Sequence, residues 1–349
     1  MVQVMENRQM GKAKAFGKAT VGKKSFRADR NLVVLFTCIG RRVSLLRSFR
    51  KAAKELKLKA SFLGTDVTEL SPALRLCDKK FLVKPISKPG YIKDLLGIVR
   101  KEKVKLVIPT IDTDLCVLAE NKRNFSDLGC RVLVSEPEVI DICQDKRKTY
   151  RFLSNSSFSP PETISVGTAL GRKKLPWPVV AKPWDGAAGK NVVVVNNKKE
   201  LRVFARRIPR CVVQEFIRGV EYTCDVFVDF DMQVRCVVPR KRIEVRAGEV
   251  SKGQVVRSDE IMEGAADVVR SLKAGPGVIT VQCIIQDDGA IRFTEINPRF
   301  GGGAPLAIKA GADFPKWILQ QLIGQGPRIK FDGFNDGLVM LRYDDEVWV

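Results

Sequence analysis

Apolar residues recur along this chain with two different periods, and the switches between them mark its elements. Asn31–Ile39 (NLVVLFTCI) is an unbroken apolar run of the kind a strand buried on both faces needs. It ends in Gly40-Arg41-Arg42, after which Val43, Leu46, Phe49, Ala53 and Leu56 repeat at helical spacing. Ala60–Thr65, Lys79–Val83 and Val104–Pro109 read as further strands, Tyr91–Lys101 and Asp114–Phe125 as helices, and Arg131–Val134 closes the unit. Strand and helix in alternation over 31–143 predict an α/β domain built on a doubly wound parallel sheet.

Beyond Gln144 the pattern changes. Asp145–Leu153 opens as a charged helix, and Ser154–Pro161 is a Ser/Pro loop. Strands with the look of antiparallel pairing follow at Val179–Pro183, Asn191–Asn196, Cys211–Phe216, Tyr222–Asp229, Val234–Pro239, Ile279–Ile285 and Ala290–Ile296. Helices are expected at Lys199–Arg206, Ser258–Leu272 and Ala304–Leu322. The second half, 144–325, is therefore α+β in two subdomains, with a small lid at about 179–217 and a C-terminal extension over 326–349.

Composition narrows the chemistry. The 349 residues are enough for a full core and two or three sub-domains, and 45% hydrophobic content is ordinary for a globular chain. No apolar run approaches the ~20 residues that would span a bilayer, so no membrane partner is expected. The nine cysteines are scattered, odd in number and without a CxxC pair, which reads as small core residues in a reducing cytoplasm. There is no histidine. That removes Ser-His-Asp and Cys-His nucleophiles, His-ligated zinc and His proton shuttles, leaving carboxylates, Lys, Arg and metal ions. The formal net charge is +22, and residues 1–30 hold eight Lys/Arg against Glu6 and Asp29, the composition of a disordered basic tail. A basic surface attracts nucleic acid, anionic lipid or anionic metabolites alike.

The densest chemistry lies in VQCIIQDDGAIRFTEINPRFGGG, residues 281–303. Asp288-Gly289 suits a two-residue hairpin turn, which sets Gln282 opposite Glu295 and puts Asn297 and Arg299 on the Glu295 face. One carboxylate and two amides on one surface suit a hard cation such as Mg²⁺ that shares phosphate oxygens. Upstream, Lys182 ends an apolar strand before Asp185-Gly186-Ala187-Ala188-Gly189-Lys190, small residues that let backbone N–H groups approach an anion. This is not a Walker A loop, because Trp184 and Asn191 stand where Gly and Ser/Thr are needed. Glu215, Phe216 and Ile217 form a strand-end hinge suited to an adenine edge. Glu221 is a carboxylate suited to ribose hydroxyls, and Lys146 is a second lysine that could reach phosphate.

In this order, DK (145–146), VVAKP (179–183), the small-residue loop, QEFIRGVEYTCD (214–225), VQC (281–283) and EINPRFGGG (295–303) resemble the ATP-grasp superfamily. The likeness is strongest to modules of the carbamoyl-phosphate synthetase large subunit and to pyrrolysine-pathway amino-acid ligases, and covers roughly 31–325. It implies a pre-ATP-grasp domain ahead of an ATP-grasp domain, with ATP and Mg²⁺ (or Mn²⁺) as cofactors. By that resemblance Lys146 and Lys182 contact phosphates, Glu215, Phe216 and Ile217 hold adenine, and Glu221 binds ribose. Gln282, Glu295 and Asn297 would then hold the metal, and Arg299 would stabilise the transferring phosphoryl group. The chain departs from the synthetase in having one module, no glutaminase partner and no histidine at the phosphates, with Pro239–Lys252 in the corresponding place. Carbamoyl phosphate production is thus in doubt.

What remains is ATP-dependent joining of a carboxylate to an amine through an acyl phosphate, releasing ADP and phosphate. Gly302 lets backbone amides close on the acyl group, and Arg240 offers a cation to a phosphate or substrate carboxylate. Gly40, Arg41 and Asp112 lie at the carboxyl ends of the first domain's strands, where open sheets expose ligand sites. The partners expected are small-molecule carboxylates and amines, with a homodimer left open. A polyanion- or nucleic-acid-binding protein without catalysis is the alternative, weakened by only 7% aromatic residues and no recognition motif. A nicotinamide oxidoreductase would need glycines that Cys38-Ile39-Gly40-Arg41-Arg42 lacks.

Overall fold

The apolar run at Asn31 forms the central strand of a parallel sheet because both of its faces are covered by helices. In the computed structural model, which describes residues 31–186 and 189–349, this first sheet contains β1 (Asn31–Thr37), β2 (Lys59–Asp66), β3 (Lys79–Leu82), β4 (Leu106–Pro109) and β5 (Arg131–Val132). Their order is β3-β2-β1-β4-β5, every pairing parallel. The basic tail expected over 1–30 lies outside the described residues, as do Ala187 and Ala188. The chain fills one side of the sheet and then the other, so the gap between β1 and β4 is its switch point, the usual ligand crevice of such sheets.

Two expected helices are broken. Asp114–Phe125 divides into Leu115–Glu120 and Lys122–Asp127 at Asn121, whose Nδ2 donates back to the Val117 carbonyl at 2.9 Å. Such a side-chain bond competes with the helical ladder. Ala304–Leu322 divides into Ala304–Lys309 and Phe314–Leu322, because Gly311 takes φ +118° and Asp313 caps the second piece by accepting from Lys316 N–H.

The second half holds two antiparallel sheets among the described residues. The smaller comprises β6 (Thr163–Ser165), β7 (Val179–Pro183), β8 (Val193–Val195) and β9 (Cys211–Glu215), in the order β6-β9-β7-β8, so it reaches back beyond the lid expected at 179–217. The larger comprises β10 (Val220–Val228), β11 (Val234–Arg246), β12 (Glu249–Val255), β13 (Gly277–Ile285), β14 (Ile291–Asn297) and β15 (Val339–Leu341), in the order β14-β13-β10-β11-β12-β15. β11 outruns its expected end at Pro239 and turns through Ala247-Gly248, both at positive φ, into β12, a strand absent from the sequence expectation. The C-terminal extension is likewise structured, since β15 pairs along β12.

Helix Asp259–Leu272 backs the larger sheet, burying Ile261, Ala265, Val268 and Leu272 on one stripe, with Ser258 as its N-cap. The two halves share a core. Phe49 from helix Val43–Glu55 meets Phe300, which follows β14, edge to face at 6.1 Å, and Lys316 reaches Glu55 at 3.0 Å. All nine cysteines are free, five of them buried, and burial raises the thiols of Cys38, Cys130 and Cys236, each to about 12. No helix among the described residues is long and apolar enough to cross a membrane.

Candidate active site

The hairpin of β13 and β14 sets the geometry of the site, by two deviations that cancel. Gln286 N–H donates to Ala290 O at 3.0 Å, so the connection has three residues and Gly289, at φ +85°, ends it. Near the tip the register is one residue off that of a two-residue turn, with Cys283 opposite Phe293. Thr294 is then bulged out between Gln282 and Cys283, and the register returns. Gln282 therefore faces Glu295, and Thr280 faces Asn297, as expected from the simpler turn. Asn297 Nδ2 donates to Glu295 Oε1 at 3.1 Å, and the Asn297 side-chain oxygen and the second Glu295 oxygen make no hydrogen bond among the described residues.

A cavity of about 870 Å³ opens over this hairpin, between the two antiparallel sheets and the β4 end of the first domain. Gln282, Glu295, Asn297 and Arg299 line one side. Lys146, Lys182, Gly186 and Gly189 line the opposite side. Lys182, at the end of β7, is buried and donates to Gln214 Oε1 at 2.7 Å. Burial lowers its ammonium from 10.5 to about 8; Glu295 pulls the other way, and the nearby Lys146 adds to the lowering. A lysine of the smaller sheet and a carboxylate of the larger thus lie close enough for their charges to interact. Lys146 starts helix Lys146–Asn155, capped by Asp145, and its Nζ donates to Gly186 O at 2.6 Å. Its backbone N–H donates to Trp184 O at 2.9 Å, while Arg147 lies 4.0 Å over the Trp184 ring. The small-residue loop is anchored at its start by these contacts.

Glu215, Phe216 and Ile217 follow β9 along the cavity wall. The Glu215 carboxylate is engaged, accepting from Arg292 at 2.6 Å and from Glu162 N–H at 3.1 Å, so what this segment presents to a ligand is backbone and apolar surface. Glu221 lines the same end, 3.3 Å from Arg242.

At the far end of the cavity Arg240 is fully buried and bidentate to Asp225, at 2.6 and 3.0 Å. Its Nη1, like Arg299 Nε, is a buried donor with no hydrogen-bond partner among the described residues. A Cβ on Gly303 would collide with that Nη1, and one on Gly302 would sit 2.9 Å from Glu249 Cδ, so the glycine run lets guanidinium and backbone share one wall. Arg299 pairs with Asp112, tying the second half of the chain to the first domain. Asp112, Arg240 and Gly302 therefore line the cavity, whereas Gly40 and Arg41 stand outside its wall. Gly40 is used locally, its N–H donating to Asp66 at 3.0 Å, and Arg41 is exposed. The first domain contributes Arg42 instead. Glu249 and, behind the wall, Arg342 are further residues the sequence did not single out. A GRR run signalled Arg42 only as one of two neighbours, and nothing local marked the other pair.

The donor set bears on the expected metal. No group of three or more Cys, Asp or Glu residues placed to hold an ion occurs among the described residues. Gln282, Glu295 and Asn297 supply one carboxylate and two amides, all oxygen donors, which fits a hard ion that arrives with phosphate better than one held by protein alone.

Fold and wall together define a two-domain α/β and α+β protein whose cavity is lined by both lysines and oxygen donors, a wall suited to a phosphorylated ligand. Residues 143–303 match the family described as ATP-grasp domain, and residues 34–133 that described as PylC-like, N-terminal domain. The chain thus carries an ATP-grasp domain preceded by a PylC-like N-terminal domain. Solved structures agree in fold. The biotin carboxylase domain of Hydrogenobacter thermophilus 2-oxoglutarate carboxylase, with MgADP and bicarbonate, is 16% identical over 88% of this chain and 73% of its own, TM-score 0.69. N5-carboxyaminoimidazole synthetase from Staphylococcus aureus with ADP is 17% identical over 86% and 79%, TM-score 0.68. An L-amino acid ligase from Bacillus licheniformis is 19% identical over 84% and 74%, TM-score 0.65.

Proposed function

We propose that the protein is an ATP-dependent carboxylate–amine ligase working through an acyl phosphate. A carboxylate is a poor acyl donor. Attack of its oxygen on the γ-phosphorus of ATP, with cleavage of the bond to ADP, makes a mixed anhydride. The amine nitrogen then attacks the acyl carbon, phosphate departs, and the amine proton is lost to solvent.

The observation that carries this reading is the facing of Lys182 and Glu295 across one cavity, each within the other's field. In it, Lys146 and Lys182 hold phosphate oxygens, and Phe216, Ile217 and the backbone at Glu215 hold adenine. Glu221 takes ribose hydroxyls. Gln282, Glu295 and Asn297 hold Mg²⁺, which when bound screens the phosphate charge. Arg299, oriented by Asp112, meets charge on the transferring group, and its pairing to the first domain keeps it in place. Gly301 and Gly302 let the acyl group lie against backbone.

The test is hydroxylamine trapping. With Mg²⁺, ATP and a panel of amino acids and small acids, hydroxylamine nitrogen displaces phosphate from an acyl phosphate and leaves a hydroxamate. Carboxylate-dependent hydroxamate together with stoichiometric ADP is expected. ADP and phosphate release that no carboxylate stimulates would sink the ligase reading.

A further inference from the structure

At the reacting end of the cavity one guanidinium, that of Arg42, lacks a close carboxylate partner of its own. Four guanidinium groups gather there, from Arg42, Arg240, Arg299 and Arg342, and three carboxylates are set against them among the described residues. Asp225 is taken by Arg240, Asp112 by Arg299, and Glu249 by Arg342 at 3.0 Å. Arg42 has only the Thr110 carbonyl, at 3.1 Å, and a 3.9 Å approach to the Glu249 that Arg342 already holds. Its side chain is only 16% exposed. Burial lowers its basicity most, then Arg299, and Arg342 least, while Glu249 and Asp112 pull the other way; the net direction is down, so the guanidinium is held at a cost that an arriving anion would offset.

Its position says which part of a ligand it meets. Arg42 stands at the β1–β4 switch point of the parallel sheet, hung from Thr110 two residues before Asp112. The Arg299–Asp112 pair belongs to the reacting centre in the proposed function; Arg42, from the first domain, lies beside that pair in the same wall. We propose that Arg42 is a specificity-determining residue that binds a second, non-reacting anionic group of the carboxylate substrate. The substrate class is then an acid bearing two anionic groups, a dicarboxylate or a carboxylate with a phosphate. Arg342 acts as a positioning residue: delivered by the residue after β15, it donates to Glu249 and, at 2.6 Å, to Gly302 O, and so keeps Glu249 from neutralising Arg42. The C-terminal extension thus shapes substrate choice without touching substrate.

This inference rests on the ligase reading, and one experiment separates the two. Hydroxamate formation by the full-length protein is measured with dicarboxylic acids (aspartate, glutamate and their deaminated analogues among them), with phosphorylated carboxylic acids, and with the matched monoamides and monocarboxylates. Diacids or phospho-acids should be preferred, and Arg42→Gln should raise the KM of the preferred acid by about 10-fold or more, as loss of a charge-assisted contact does. The effect on kcat should be smaller, and Arg42→Lys should recover part of the KM. Arg342→Ala should raise the same KM, while the KM for ATP moves less in either variant. Equal KM values for a diacid and its monoamide, or an Arg42→Gln enzyme with wild-type selectivity, would overturn the inference and leave the ligase standing. Hydroxamate from none of the acids would overturn both.

Discussion

The two ends of the cavity are built in opposite ways. The nucleotide end is assembled from short contiguous motifs of the ATP-grasp domain, each ending a strand or opening a helix: Lys146 after its cap, Lys182 at the end of β7, Glu295 and Asn297 two apart on β14. The end proposed for substrate is assembled from single arginines and acids that come from five parts of the chain: Arg42, Asp112, the β10–β12 region, Arg299 and Arg342. ATP is one ligand with one shape, and local motifs suffice to meet it. In the proposed function the other end would have to distinguish between acids, and long-range charge pairing that can be altered one residue at a time suits that task.

The comparison can be broken most severely at the hairpin. Glu295→Ala removes the one carboxylate of the oxygen cradle and should lower turnover on the order of 10²- to 10³-fold, measured as carboxylate-dependent ADP release. Wild-type turnover in a folded Glu295→Ala protein would remove the metal role from this residue. At the other end, Arg240→Met leaves Asp225 buried without its partner and should cost about 3–5 kcal/mol of stability, read from urea unfolding. Were that variant as stable as the parent, the pair would be ornamental to the fold.

Subtler changes sharpen the contrast. At about 100-fold excess over Kd, Mg-ATP should stabilise the wild type by about 2–3 kcal/mol, and Lys182→Ala should lose most of that gain in a thermal-shift titration. The smallest effect concerns pH. Lys182 has a folded-state value of about 8 against an ordinary 10.5, so the folded protein holds fewer protons than the unfolded chain between those limits. Burial therefore penalises the ammonium fully below about 8, and that penalty fades as pH rises toward 10.5. Nucleotide affinity should move the other way, because the phosphate-binding cation is lost above about 8. Kd for ATP should rise several-fold between about pH 7 and about pH 9 in the wild type and stay flatter in Lys182→Arg, whose guanidinium does not titrate there. A flat wild-type profile would mean that Lys182 is not the titrating contact.

Much of the fold was legible because the periodicities are strong. The β1 run, the helix from Val43 and the alternation that follows specify a parallel sheet, and the pairing of Gln282 with Glu295 emerged although the turn was read as two residues instead of three. The bulge at Thr294 made the two descriptions agree at the one place that matters. Helix breaks were less legible. Asn121 and Gly311 act through a side-chain bond and a backbone angle that an apolar stripe running through them conceals. β12 was missed because Glu249–Val255 alternates weakly, and its register comes from the Ala247-Gly248 turn and from neighbours on both sides.

By itself the sequence determined the two fold classes, the lack of histidine, and which lysines and oxygen-bearing side chains were candidates for one site, because these depend on local period and on residues within a few positions of one another. Only the tertiary structure decided that Arg42 rather than Gly40 or Arg41 enters the cavity, that Asp112 belongs to Arg299, and that a C-terminal arginine holds Glu249. Charge pairing is set by distance in space and by burial, and neither is written in the spacing of residues along the chain.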